Sequence, residues 1–216
     1  MSRLVDGVRH YHAEEYPKRK SLLMSLARGQ SPHALFICCS DSRVIPTLLT
    51  SSNPGELFVV ENAGNIVPAP GAPGGGGPLT ATGGGTGGEA ATLEYALRVL
   101  KVPEIIVCGH RRCGAITGLM TPESLGSLPM VADWLKHSTS VRDQVNAEMP
   151  NASQEEKIDA AIKANVLLQL DHLRAYDCVK EALDAGTVTL GGWVDEFAAG
   201  RVIRWDEDTQ SWNEIL

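Results

Sequence analysis

Residues 33–43 of the chain are HALFICCSDSR, an apolar run that ends abruptly in polar and charged side chains. The run His33–Cys39 has the length of a strand and lacks polar alternation, which is typical of a strand buried on both faces. Two similar runs follow, GELFVVE at 55–61 and EIIVCG at 104–109. Between these two, residues 87–102 carry apolar side chains at helical spacing. The order strand, helix, strand predicts a parallel sheet with a right-handed crossover.

An amphipathic arm, residues 1–29, precedes the first strand. Apolar residues between Leu4 and Ala27 fall mostly at helical spacings, which predicts two helices with a break at Pro17. The arm has no apolar core and no small-residue cleavage site, so we expect no signal peptide.

The second half of the chain predicts helices over 130–148 and 153–183 and a closing antiparallel hairpin over Thr187–Trp205. There is no internal repeat. We therefore expect one α/β domain over residues 1–216. Its mostly parallel sheet is flanked by helices, with a helical arm at the N-terminus and an antiparallel edge at the C-terminus.

Residues 68–88, PAPGAPGGGGPLTATGGGTGG, are low in complexity. This composition favours a flexible surface loop. A phosphate-binding loop is the alternative, but no GK[ST] sequence follows, so the Walker pattern is not met.

The composition narrows the class of protein. A net charge of -7 disfavours a nucleic-acid surface, and no apolar run approaches the roughly 18 residues of a membrane span. The five cysteines are an odd number, and the adjacent pair Cys38-Cys39 suits no disulfide framework. A reducing compartment with free or metal-bound thiols is favoured, so we expect a cytoplasmic protein.

Four metal-ligand side chains follow two of the predicted strands. Cys39 and Asp41 come after the first strand, and His110 and Cys113 come after the third. The carboxyl ends of parallel strands meet at one edge of the sheet, where open α/β sheets place their sites. Each residue alone has an ordinary interpretation, a small buried thiol or a core histidine. Together they favour a zinc site.

The remaining cysteines and histidines lack such a context. Strand alternation points Cys38 away from Cys39, and we expect Cys38, Cys108 and Cys178 to be structural. We assign no metal role to the other histidines, which are His10, His12, His33, His137 and His172.

The motif CSDSR at 39–43, followed by GHRRCGA at 109–115, resembles the β-class carbonic anhydrases. The similarity extends through PGELFVVENAGNIV, LEYAL and GGWV, and the layout is closest to bacterial and cyanobacterial members. The resemblance implies one zinc ion per chain, held by Cys39, His110 and Cys113. It places a carboxylate–arginine pair at Asp41 and Arg43. The implied substrate pocket contains Gln30, Phe58, Ala63, Gly64, Tyr95 and Gly114.

The implied activity is the reversible hydration of carbon dioxide to bicarbonate and a proton by zinc-bound hydroxide. Arg43 would hold Asp41 ionised beside the zinc, and Gln30 would donate to a substrate oxygen. An ordinary surface ion pair is the alternative for Asp41 and Arg43. The resemblance also implies a closed alternative, in which Asp41 is a fourth zinc ligand, but the ENAGN stretch at 61–65 resembles the members whose site is always open.

Other functions are weighed against this one. A non-catalytic zinc-binding assembly protein would be expected to lose Arg43 or Gln30, and both are present. An enzyme acting on another small electrophile, such as carbon disulfide, would need a different access route. Thiol redox chemistry expects a C-x-x-C motif. Many relatives carry arginine where this chain has Glu61, and the Gly-rich segment is longer than the family suggests.

The resemblance also implies a homodimer or a higher homo-oligomer. The arm would wrap the partner, and Gln30 would serve across the interface. A carboxysomal location is a lesser alternative to the cytoplasm.

Overall fold

A six-stranded sheet forms the centre of the computed structural model, which describes residues 2–72 and 87–215. The strand order is β2-β1-β3-β4-β5-β6. The strands are β1 (Ala34–Cys39), β2 (Leu57–Asn62), β3 (Glu104–His110), β4 (Thr189–Glu196), β5 (Arg201–Asp206) and β6 (Ser211–Glu214). Strands β1 to β4 pair in parallel, and β5 and β6 are antiparallel. The predicted fold class is confirmed.

Helices flank the sheet. They are α1 (Arg3–His10), α2 (Tyr16–Leu26), α3 (Pro46–Leu49), α4 (Gly88–Tyr95), α5 (Gly114–Met120), α6 (Pro129–Leu135), α7 (Thr139–Glu148), α8 (Gln154–Arg174) and α9 (Asp177–Asp184). No helix within the described ranges has the length and apolarity that crossing a bilayer requires.

The two faces of β1 contribute to different cores. Leu35, Ile37 and Cys39 belong to the larger core. Phe36 and Cys38 belong to a smaller core on the opposite face. Every residue of the strand is buried, as its uninterrupted apolar run predicts. Cys38 lies in the core, as expected, and points away from Cys39.

The arm differs from its prediction. Helical backbone runs through a π-helical turn at Tyr11–Glu15, and Pro17 lies in the first turn of α2 rather than at a break. The π-helical turn just before Pro17 changes the hydrogen-bond spacing there, which accommodates the missing N–H of proline without ending the helix. No side chain of α1 or α2 is buried, and Leu4 is 81% exposed.

The C-terminal strands refine the predicted hairpin. Strands β4 and β5 do pair antiparallel, but β4 also pairs in parallel with β3, so it lies inside the sheet. The four-residue strand β6 was not predicted. The predicted helix over 153–183 is two helices, α8 and α9. In the Gly-rich segment, residues 73–86 lie outside the described residues, and the loop stays a prediction.

Helix α8 packs closely on the sheet because two strand positions have no side chain. A Cβ at Gly109 would lie 2.9 Å from Val166 Cγ2. A Cβ at Gly192 would lie 2.9 Å from Val166 Cγ1 and 3.1 Å from Leu170 Cδ1. The α8 side chains fill the space that these glycines leave.

We expect Gly192→Ala to lower the free energy of unfolding by about 1–3 kcal/mol, because the added methyl overpacks this contact. Urea unfolding at one fixed protein concentration measures the change. Gly7→Ala is the control, since nothing lies within 4 Å of its Cβ position and alanine favours a helix by up to about 1 kcal/mol. A Gly192→Ala protein as stable as wild type would contradict this packing.

Candidate metal centre

Two adjacent strands bring the predicted ligands together. Cys39 ends β1 and His110 ends β3, and the parallel register sets Cys38 opposite Cys108. Cys113 is the N-cap residue of α5, which begins at Gly114. Two strand ends and the start of one helix therefore bring three candidate ligand side chains together.

The three side chains form a compact, buried group. One ligand atom from each of Cys39, His110 and Cys113 lies within 4.8 Å of the others. The two sulfur atoms are 3.9 Å apart, and the residues are 6%, 0% and 1% exposed, respectively. No other group of three such ligands occurs in the described parts of the chain.

This group fits a zinc ion. Zn–S bonds of about 2.3 Å in a tetrahedron separate two sulfur atoms by about 3.8 Å, close to the spacing here. His110 Nε2 is buried without a hydrogen-bond partner. The other ring nitrogen, Nδ1, lies 3.0 Å from the carbonyl oxygen of Arg111. That contact favours a proton on Nδ1 and leaves the Nε2 lone pair free for a metal.

Ion pairs hold the residue that orients His110. The Arg111 guanidinium contacts carboxylates of Asp159, on α8, and Glu196, at the end of β4. Its backbone N–H donates to Asp195 O at 2.9 Å. The Arg111 carbonyl oxygen that accepts from His110 Nδ1 is therefore held in place by contacts to both a strand and a helix.

The two thiols form a hydrogen bond. Cys113 Sγ donates to Cys39 Sγ, and this bond outweighs burial and lowers the pKa of the Cys39 thiol. The same bond, with burial, raises the pKa of Cys113. The Gly64 N–H also donates to Cys39 Sγ, at 3.4 Å. A thiolate at Cys39 is the form that a metal requires.

Asp41 and Arg43 form a bidentate pair. Arg43 Nε donates to Asp41 Oδ1 at 2.8 Å, and Nη2 donates to Oδ2 at 2.7 Å. The Arg43 side chain holds the pKa of the Asp41 carboxyl well below its usual range. Asp41 Oδ2 also lies 3.9 Å from His110 Nε2. The pair thus stands directly beside the three-ligand group.

Polar side chains from two helices fasten the loop that carries Ala63 and Gly64. Trp134 Nε1, on α6, donates to Ala63 O at 2.8 Å. Asn165 Nδ2, on α8, donates to Gly64 O at 3.0 Å. Gly64 has φ +82° and is held where its N–H meets Cys39.

Asn165 belongs to a buried amide network. Its Oδ1 accepts from Ser138 Oγ at 2.8 Å and from Gln169 Nε2 at 2.9 Å. Gln169 Oε1 in turn accepts from the backbone N–H of Val67 at 2.9 Å. These side chains are at most 1% exposed. Sequence reasoning missed them. Their only signal is that Asn165 and Gln169 interrupt the apolar stripe of α8 one helical turn apart.

Three predicted pocket residues lie away from the metal group within one chain. Gln30 precedes β1, whose six residues span about 20 Å. Phe58 lies about 13 Å along β2 from the carboxyl end of that strand. Its ring packs against Tyr95, with ring centroids 6.0 Å apart. By contrast, Gly64 lies at the metal group and Gly114 follows Cys113 directly.

The remaining thiols stay protonated. Burial, with the nearby Glu61 charge, raises the pKa of Cys38 to about 12. Burial also raises the pKa of Cys108 and Cys178. Glu61 is exposed on the edge strand β2, opposite Cys38 in the register. Its charge therefore affects the thiol of Cys38 in the smaller core.

A family model described as carbonic anhydrase matches residues 34–202. The solved structure of the β-carbonic anhydrase CcaA superposes with a TM-score of 0.91 at 39% identity, covering 99% of this chain and 91% of that one. The chain belongs to the β-carbonic anhydrase family. The predicted family, fold and enzyme class are confirmed.

Curated relatives agree with this assignment. A carbonic anhydrase of Pseudomonas aeruginosa is 45% identical over 94% of this chain and 86% of its own length. One from Synechocystis is 41% identical over 95% of this chain and 71% of its own. The structure of a Coccomyxa β-carbonic anhydrase in complex with acetazolamide matches with a TM-score of 0.76 and 29% identity, covering 93% of this chain and 84% of that one. A non-catalytic role and a carbon disulfide substrate are not favoured.

We expect Asn165→Ala to lower the free energy of unfolding by about 1–3 kcal/mol, because buried groups of Gly64, Ser138 and Gln169 lose their partner. Urea unfolding measures it. Gln144→Ala is the matched control: this amide is exposed on α7, and its loss should change stability by no more than about 0.5 kcal/mol. Equal effects of the two substitutions would contradict a structural role for the buried network.

Proposed function

We propose that the chain hydrates carbon dioxide reversibly to bicarbonate and a proton, with one zinc ion per chain held by Cys39, His110 and Cys113. The observation that carries this proposal is the buried three-ligand group with a bidentate Asp41–Arg43 pair beside it. When bound, zinc would lower the pKa of a water at its open coordination position and so supply the nucleophile.

Asp41 orients the attacking water in this proposal. Its carboxylate is held ionised by Arg43, and an ionised carboxylate can only accept hydrogen bonds. The position of Oδ2, 3.9 Å from His110 Nε2, puts that acceptor at the mouth of the ligand group. The bidentate contact with Arg43 supports an open site, in which Asp41 is not a metal ligand.

The substrate pocket combines two copies of the chain. Ala63, Gly64 and Gly114 lie beside the ligands of their own chain. Gln30 and Phe58 lie far from the ligands along β1 and β2, and Tyr95 packs against Phe58, so a second copy supplies all three.

The exposed arm supports this homodimer. Its apolar side chains, such as Leu4 and Val8, stand 81% and 67% exposed in the isolated chain and need a partner surface. A structure with 25% identity is described as a tetrameric β-carbonic anhydrase from Sordaria macrospora, and a higher homo-oligomer is the alternative here.

The proposed location is the cytoplasm. Its support is that none of the five cysteines, which all lie in the described parts of the chain, forms a disulfide, as a reducing compartment favours. The carboxysome stays the alternative prediction.

We expect Cys113→Ser to lose stoichiometric zinc and carbon dioxide hydration together, because a hydroxyl replaces one of two thiolate ligands. Metal analysis measures the zinc content, and stopped-flow kinetics at pH 8.5 measures the rate of carbon dioxide hydration. Cys178→Ser is the control, since this thiol lies on α9 outside the ligand group and should leave both unchanged. Stoichiometric zinc in wild type without hydration above background would favour a non-catalytic protein instead.

Asp41→Asn should keep its zinc and lose turnover by on the order of 10²-fold, because an amide cannot replace the ionised acceptor. Zinc content and stopped-flow rates are compared with wild type. Loss of zinc from this variant would instead make Asp41 a metal ligand.

A further inference from the structure

One aromatic ring touches both halves of the site. Phe197 follows the last residue of β4, and its ring centroid lies 4.7 Å from Arg43 Cζ. The same centroid lies 6.3 Å from that of the His110 ring. Phe197 is thus in contact with the guanidinium that holds Asp41 and packs beside a metal ligand.

We propose that Phe197 is a positioning residue that keeps Arg43 paired with Asp41 and so keeps the carboxylate away from the metal. This inference rests on the proposed function, because it concerns how the open site is maintained. It assigns a role to a side chain outside the ligand group and outside the Asp41–Arg43 pair.

The carboxylate stands between the Arg43 guanidinium and the place that a metal would occupy. Asp41 Oδ2 is 2.7 Å from Arg43 Nη2 and 3.9 Å from His110 Nε2, the ring nitrogen left free for a metal. A shift of Oδ2 away from the guanidinium would carry it toward a cation bound at that nitrogen. What holds Arg43 in place therefore decides which partner Asp41 takes.

The edge and the face of the guanidinium have different partners. Along the edge, Nε and Nη2 donate to Asp41, and Nη2 also lies 3.2 Å from Arg112 O. Phe197 provides an aromatic surface for the cation. The Arg43 side chain is 46% exposed, so water would compete for the guanidinium if the ring were absent. A cation–π contact at such a site shifts a two-state ratio by about two- to fivefold.

Two substitutions separate a cation–π contact from simple packing. Phe197→Leu keeps an apolar side chain but removes the aromatic face. Phe197→Tyr keeps the aromatic ring. A packing role would be met by leucine, whereas an aromatic role would be met only by tyrosine.

The primary measurement is hydrogen exchange of the Arg43 Nε–H with water, followed by NMR on the full chain without metal and with zinc. The signal is assigned by its loss in Arg43→Lys. Exchange requires the Nε–H to leave Asp41, so its rate reports the unpaired fraction. We expect a two- to fivefold faster rate in Phe197→Leu and a wild-type rate in Phe197→Tyr. An unchanged rate with leucine, or a failure of tyrosine to restore it, would overturn the proposal.

The second measurement is the dissociation constant of thiocyanate for the cobalt-substituted full chain. An anion that needs the open coordination position binds more weakly as the open fraction falls. Thiocyanate should bind Phe197→Leu more weakly, by up to the same factor, and Phe197→Tyr as tightly as wild type. Equal binding to all three proteins would overturn the link to the metal. Hydration by wild type tests the proposed function separately, since exchange in metal-free protein does not depend on activity.

Discussion

The register between β1 and β3 is the constraint on which the rest of the site depends. Their parallel pairing sets Cys38 opposite Cys108, so Cys39 and His110 end neighbouring strands and their side chains come within reach of each other. A slip of one residue would turn Cys39 toward the smaller core and exchange it for Cys38. The apolar side chains that bury both faces of β1 therefore also fix the position of a metal ligand.

A buried layer of polar side chains adds a second restraint on the site. The amides of Asn165 and Gln169 reach across from α8 to the backbone of the loop at Gly64 and Val67. The loop passes this restraint to Cys39 through the N–H of Gly64. The close approach of α8 at Gly109 and Gly192 allows the reach. Buried polar groups that are satisfied in this way rigidify a site rather than weaken it.

The parts of the fold and site that follow local patterns could be predicted from the sequence. Three apolar runs predicted three of the parallel strands, and the positions of Cys39, Asp41, His110 and Cys113 after two of these runs predicted a metal group; the resemblance to the family narrowed that group to three ligands. The π-helical turn in the arm and the four-residue strand β6 carry no comparable pattern. Asn165 and Phe197 contact residues that are distant in sequence, Gly64 and Arg43 respectively. The spacing of residues along the chain does not reveal such contacts. Gln30 stays a pocket residue predicted from the resemblance to the family, and its separation from Cys39 within one chain became visible only in the sheet.

The arm has a consequence for how the protein behaves on dilution. Helix α1, the first part of the continuous helical arm, buries no side chain, and helical segments draw most of their stability from tertiary packing. If a second copy covers it, the order of the arm depends on protein concentration, whereas the order of the sheet does not. The sheet and its flanking helices then fold within one chain, whereas the N-terminal arm becomes ordered only when two chains associate.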